Sequence, residues 1–215
     1  MPVSLGVSFI LITVSGILVR QNILFMLPLY ISLLVATLDS RVSRYARLLG
    51  GINSVLYAAV YLYYGLYANA VYALTMSCTL QLVTFFRWKK RPWGNSTMFR
   101  KFTNKQRIAV AAAFLAASGA VALVLRTLHS SYLFVDTLST MVGLLATILT
   151  LLAFVEYTWV MLPNALATTA TYIAMAANNP EQLPYVIYSL YGLLCTAIAF
   201  AKVRSLYAEQ QAAKM

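Results

Sequence analysis

The chain has 215 residues, of which 61% are hydrophobic and only 10% charged, against about 25% charged in an ordinary soluble domain. Sixteen Lys and Arg against five Asp and Glu give a formal charge of +11. A soluble domain of this size could not bury so much apolar surface, and a nucleic-acid binder needs such a domain to carry its basic patch, so both classes are set aside in favour of a membrane protein.

The first apolar run covers residues 3–19. No Lys or Arg precedes it, and Arg20, Gln21 and Asn22 follow where a cleavage site would need small residues. It therefore reads as a retained helix. Further apolar runs lie near residues 23–38, 49–64, 67–86, 107–125, 132–155, 158–176 and 182–201. Several reach the roughly 20 residues that cross a hydrocarbon core at about 1.5 Å per residue. Membrane strands would alternate polar and apolar residues, and VAAAFLAASGAVALVL does not.

Between the fourth and fifth runs lies FFRWKKRPWGNSTMFRKF, residues 85–102, with six basic residues and no acid. Aromatics set between cations can stack on bases. The same composition suits the rim of a membrane protein, with Trp88 and Trp93 at the headgroup level and the cations on anionic lipid. Eight crossings would place fourteen of the sixteen basic residues on one side, leaving only Arg20 and Arg126 on the other. Short basic loops stay cytoplasmic. The expected protein is thus a multi-pass protein of the inner (plasma) membrane with both termini cytoplasmic.

Chemistry-bearing motifs are absent. Cys78 and Cys195 sit within apolar runs, and His129 is the single histidine, so neither a metal nor a cofactor is expected. No HExxH, GxSxG or GxxxxGK[ST] occurs. Asp136 and Glu156 would fall on opposite sides, so they cannot form a carboxylate pair. Enzyme chemistry is not expected.

An internal repeat is visible instead. Asn53 and Asn164 are 111 residues apart, as are Tyr61 and Tyr172. The second to fourth spans and the sixth to eighth would each begin on the outer side, with the fifth restoring direction. The expected fold is all-α with eight transmembrane helices. Its seven-helix core forms two parallel three-helix bundles joined by a linker helix, with a substrate path between the halves. The divisions are an extra first helix (1–22), a first repeat (23–86), a basic cytoplasmic loop (87–105), a linker helix (106–131), a second repeat (132–204) and a cytoplasmic tail (205–215). Tyr207→Ala, in that tail, is expected to change substrate binding little.

Polar residues within the apolar runs mark the path. Asn53, Gln81 and Asn164 each carry an amide with donors and an acceptor, and an amide facing lipid is costly. Helix–helix packing would also account for them. Tyr57, Tyr61 and Tyr64 share a helix face by their spacing, and Tyr185, Tyr188 and Tyr191 recur every three residues. Such rings suit an aromatic base next to a sugar, although a belt at the membrane interface uses the same residues. Trp159 is either an interface anchor or one wall of the pocket. The central stretches offer no ionisable residue of the kind a proton relay needs, so passive passage is expected.

Residues 24–204 resemble the PnuC-like vitamin transporters. The resemblance is carried by GGINSVLYAAVYLYYGLYANAVYAL, DTLSTMVGLLATILTLLAFVEYTWVMLPNAL and PYVIYSLYGLLCTAIAF. It implies a seven-helix core similar to that of the SWEET sugar transporters. It maps functional positions onto Asp136, Ser139, Thr140, Trp159, Asn164, Tyr185, Tyr188 and Gly192. The chain departs from the family pattern at VMLPN, which lacks a second tryptophan, and at TFFRW, which keeps only Trp88. The substrate implied is nicotinamide riboside, with thiamine or another nucleoside-like vitamin as the alternative and a non-transporting membrane scaffold as a third reading. The partner implied is a soluble cytoplasmic kinase that traps the substrate by phosphorylation. The substrate-binding residues expected are Asn53, Tyr57, Tyr61, Gln81, Trp159, Asn164, Tyr185 and Tyr188. Anionic lipids are expected as contacts, nucleic acid is not, and a homo-oligomer is left open. On the expected topology, a membrane-impermeant thiol reagent applied to intact cells labels cysteines introduced at 66–67 and 179–181 but not at 94–97. Labelling at 94–97 would overturn it.

Overall fold

The computed structural model describes residues 2–63, 70, 72–127 and 133–214. Eight α-helices follow one another among them: α1 (Pro2–Leu18), α2 (Ile23–Ser40), α3 (Tyr45–Tyr63), α4 (Thr79–Lys90), α5 (Asn104–Thr127), α6 (Leu133–Leu151), α7 (Tyr157–Asn178) and α8 (Leu183–Ala212). A π-helical turn, Ala73–Cys78, leads into α4. A two-residue hairpin pairs β1 (Pro92–Trp93) with β2 (Ser96–Thr97), and a 3-10 turn, Pro180–Gln182, precedes α8.

Local chemistry explains several of these boundaries. Asn22 caps α2, its side chain accepting from the Leu24 N–H at 2.9 Å. Asn179 bonds the Glu181 N–H in the same way, at 3.0 Å, where the chain turns from α7 into α8. Pro163, inside α7, has no N–H to offer the carbonyl one turn earlier.

Three segments are long and apolar enough to cross a membrane, Asn104–Leu123, Tyr157–Asn178 and Pro180–Ala212, and three shorter apolar helices accompany them, Val3–Leu18, Leu24–Ser40 and Met141–Leu151. Among the described residues, the spans expected at 49–64 and 67–86 correspond to α3 and to the π-turn with α4, and neither reaches that length and hydropathy. Within them Asn53, Ser54, Ser77 and Gln81 all line one cavity. Residues of α1 such as Val3, Ile10, Ile17 and Leu18 are exposed, as are Ile108, Leu115 and Leu123 of α5. None of α5's spanning window is buried. Such surface is costly in water and suits lipid.

Helices adjacent in sequence run antiparallel in the pairs that hydrogen bonds define. Thr13 of α1 meets Tyr30 of α2 at 2.9 Å, Asn53 of α3 reaches Ser32 of α2, and Thr169 of α7 reaches the Ser189 carbonyl of α8. Small residues allow the closest approaches. A Cβ on Gly16 would lie 2.4 Å from Met26, and one on Gly51 would lie 3.2 Å from Leu82. One buried cluster joins Ile12, Met26, Leu29, Leu33, Tyr191 and Cys195 of α1, α2 and α8. A second closes the end that carries the basic loop, around Val42, Trp88, Phe99, Leu149, Tyr157 and Val203.

That basic end corrects two expectations. Trp88 does not present its ring to lipid headgroups. It is 1% exposed, donates its indole N–H to the Thr150 carbonyl at 2.9 Å and meets Phe99 edge-on at 5.8 Å. Trp93 is half-buried and packs against the same cluster. The loop is a layer drawn across the bundle, because its aromatic residues have an interior to enter. Arg100 exchanges backbone hydrogen bonds with the turn after α6, donating to Ala153 at 2.8 Å and accepting from Val155 at 2.9 Å.

The second correction concerns residues 205–215. α8 continues to Ala212 instead of ending in a free tail. Gln210 is 1% exposed. Its Oε1 accepts from the Phe99 N–H at 2.8 Å, and its Nε2 donates to the Thr97 carbonyl at 2.9 Å. Tyr207 packs against the basic-end cluster. Gln210→Ala leaves two buried backbone groups unpaired, at about 1–3 kcal/mol each. Thermal unfolding in detergent is expected to show a lowered midpoint for Gln210→Ala and little change for Lys214→Ala.

Candidate functional site

Two cavities lie side by side within the bundle. The first, about 280 Å³, is bounded by α2, α3, the π-turn, α4, α6 and α8 and is rich in polar groups. The second, about 210 Å³, lies between α2, α7 and α8 and is more apolar. Val35, Asp39, Arg47 and Tyr188 line both, so these four form the partition between them.

The first cavity is built around Ser32 and Ser54. Asn53 is 5% exposed and donates its amide to Ser32 Oγ at 2.8 Å. Ser32 Oγ also lies 3.3 Å from the Tyr57 hydroxyl. Ser54 pairs with Ser77 at 2.9 Å, and Gln81 Nε2 reaches both at 3.3 and 3.4 Å. Gly50 makes room for Gln81, since a Cβ there would lie 1.9 Å from its Oε1. The π-turn brings Ser77 to this wall, one extra residue in the turn rotating those that follow. Asn53 Oδ1 is buried without a hydrogen-bond partner in the protein.

The second cavity receives Asn164 from α7, with Thr168 from the same helix and Ser189 and Thr196 from α8. Asn164 is half-buried. Both asparagines therefore border a cavity, one in each.

The sequence-derived residues separate into groups. Asn53, Tyr57, Gln81 and Tyr188 meet around the first cavity, and Asn164 and Tyr188 border the second. Tyr185 is not part of either lining; its ring stacks on Tyr172 at 5.6 Å. Tyr191 lines neither cavity and pairs its hydroxyl with Thr37 at 2.7 Å. Trp159 is 57% exposed, lies edge-on to Phe200 and borders a separate groove. The side chains of Tyr61, Asp136, Ser139 and Thr140, and Tyr64 as a whole, lie outside the described residues. Among the described residues, no three His, Cys, Asp or Glu side chains gather as a metal site.

The reading of an uncharged path missed Asp39 and Arg47. Asp39 closes α2, and Arg47 lies in the first turn of α3. They form an ion pair with side chains 19% and 12% exposed. The guanidinium also lies 5.7 Å from the centre of the Trp88 ring, a cation–π contact. Between them Val42 takes a positive φ of 55°, strained for a β-branched residue, while its side chain is 2% exposed in the basic-end cluster. Burying that side chain holds the tight turn that brings Asp39 back to Arg47.

Removing one partner of a buried pair leaves the other charge unpaired and costs about 3–5 kcal/mol. Arg47→Gln and Asp39→Asn are each expected to lower the unfolding midpoint, and the double variant to recover part of the loss. Additive losses in thermal unfolding would show that the pair is not coupled.

Comparison with known proteins places this geometry. The profile of the nicotinamide mononucleotide transporter family matches residues 22–204. A search of curated proteins gives no match. Among solved structures, the crystal structure of the vitamin B3 transporter PnuC superposes with a TM-score of 0.78 at 19% identity, covering 95% of this chain and 90% of that one. At that identity the likeness is one of fold. The matched region takes in both cavities and the partition between them, and the chain, a multi-pass membrane protein, belongs to the nicotinamide mononucleotide transporter family.

Proposed function

We propose that the protein facilitates the uptake of nicotinamide riboside. The observation that carries this reading is the charge of the cavity walls. Arg47 is the one cation lining either cavity among the described residues, and Asp39 neutralises it. Every other lining group is an amide, a hydroxyl, a thiol or an apolar side chain. A phosphorylated nucleotide would need an unpaired cation, since phosphate is bound by charge-assisted hydrogen bonds. A riboside needs donors and acceptors for its hydroxyls and a ring face for its pyridinium, an attraction of about 0.5–2 kcal/mol.

In this reading the sugar meets Asn53, Gln81 and Asn164, and the base lies against Tyr188 and Tyr57. Asn53 Oδ1 keeps an unused acceptor, and the Asn164 side chain makes no hydrogen bond within the protein among the described residues. Trp159 is left out of this placement because it faces another groove. Neither cavity reaches the roughly 300 Å³ of a small-molecule site, and together they exceed it. Binding therefore needs the Tyr188 side of the partition to yield.

The wider arrangement follows the same proposal. The extra first helix (1–22) stands beside a 3+1+3 core. Repeats 23–86 and 132–204 contribute Asn53 and Asn164 from equivalent helices, and the linker (106–131) joins them. The basic end and both termini face the cytoplasm of a cell whose inner membrane holds the protein. A soluble kinase there phosphorylates the riboside and keeps the gradient inward, so the carrier itself couples to no ion.

Calorimetry of the purified protein against nicotinamide riboside, nicotinamide mononucleotide, thiamine, riboflavin and uridine tests the proposal. The riboside is expected to bind and the mononucleotide to bind far more weakly. Asn164→Ala is expected to cost about 1–3 kcal/mol of riboside binding. Binding of thiamine alone would replace the substrate and keep the fold. Equal binding of the mononucleotide would remove the trapping mechanism.

A further inference from the structure

The largest of the three cavities plays no part in the proposed path. It is a groove of about 800 Å³ at the basic end, bounded by α5, α6, α7 and the last turns of α8. Its polarity changes along its length. Lys101, Arg107 and Arg204 stand along its wall, facing a single carboxylate, Glu156. From Arg107 one face of α5 runs on through Val110, Ala111 and Phe114, the spacing of successive helical turns. Leu145 and Leu149 of α6 face them. None of α5's spanning window is buried, so this groove borders a helix that meets lipid on its other sides.

The charged groups are not used up by one another. Arg107 reaches Glu156 with one nitrogen, at a long 3.5 Å, and its side chain is 49% exposed; a guanidinium has five N–H donors. The Arg204 guanidinium lies 4.0 Å from the Phe200 ring centre and 4.5 Å from that of Trp159. Rings that hold its face leave its N–H edge to an acceptor. Glu156 Oε1 accepts from the Phe102 N–H at 3.0 Å, whereas its Oε2 is buried without a hydrogen-bond partner.

We propose that this groove is a binding site for an anionic phospholipid whose headgroup carries hydroxyls, of the phosphatidylglycerol type. The phosphodiester lies among Lys101, Arg107 and Arg204, a headgroup hydroxyl donates to Glu156 Oε2, and an acyl chain follows Val110 and Phe114 toward the membrane interior. Basic pockets between membrane helices take such headgroups. The apolar continuation is what selects a lipid over a free phosphate, which would leave it empty. Net charge selects against zwitterionic lipid.

The full-length protein in detergent micelles provides the test. Trp159 borders the groove, so phosphatidylglycerol brominated on its acyl chains is expected to quench tryptophan fluorescence at concentrations at least tenfold below brominated phosphatidylcholine. Trp159→Phe is expected to abolish most of the quenching, because Trp88 is buried in the basic-end cluster and Trp93 packs against that cluster without lining the groove. Arg107→Gln with Arg204→Gln is expected to weaken the phosphatidylglycerol effect at least tenfold, while Arg87→Gln with Lys89→Gln, the same charge loss on exposed positions of α4, leaves it within twofold. Equal quenching by the two lipids would overturn the site. So would equal losses in the two double variants, which would mean a diffuse surface charge. Displacement of the lipid by inorganic phosphate alone, or a groove closed by a second copy in native mass spectra, would overturn it as well. The quenching comparison uses the unaltered chain, so it decides even if a double variant fails to fold.

Discussion

A polar group inside a membrane protein has no water to fall back on, and this constraint organises the chain. Each buried donor or acceptor must meet another protein group or a cavity. Ser32, Asn53 and Tyr57 meet one another across α2 and α3. Ser54, Ser77 and Gln81 do the same across α3 and α4. These contacts cannot form with the helices in another register, since a shift of one residue turns each side chain by about 100°. The polar residues within these apolar segments are thereby the ones that fix how the helices pack. A greasier α3 would cross a membrane more readily and would have no address within the bundle.

The partition between the cavities applies the same rule to charge. Asp39 and Arg47 are tolerable only together, because the desolvation of either alone is large. Their position at the ends of α2 and α3 ties the partition to the turn that joins those helices. That turn rests on Val42, and Val42 belongs to the cluster beneath which the basic loop is drawn. Trp88 links the two levels, touching Arg47 through its ring and α6 through its indole N–H. A movement of the partition is therefore felt in the packing of the basic end.

Much of the architecture was legible in the sequence. The apolar runs anticipate the eight helices, and α2 begins at the expected residue because Asn22 is both a polar interruption and a cap. Asn53 and Gln81 were recognisable because amides are rare in apolar runs. Other features were hidden by how composition reads. A stretch with six cations reads as a solvated loop, and its Trp88, Trp93, Phe99 and Phe102 carry the burial that the charges conceal. Asp39 and Arg47 fall at span ends, where charges are ordinary, so only their proximity in space marks them. The separation of Trp159 from Asn164 was available in principle. Five residues turn a helix by about 140° beyond a full turn, which puts the two side chains on different faces. Tyr185, Tyr188 and Tyr191 drift around α8 by the same arithmetic, and only the middle one faces the cavities.

Gln210 has a bearing on how the protein is made. It holds residues 97 and 99 from more than 110 positions further along the chain. During synthesis the basic loop emerges long before the glutamine that fastens it, with four helices still to be inserted in between. The loop must wait, its Phe99 amide unfastened, until α8 has been threaded and its final turns have folded back. The seam closes last, and a closed basic end reports that every later helix has found its place.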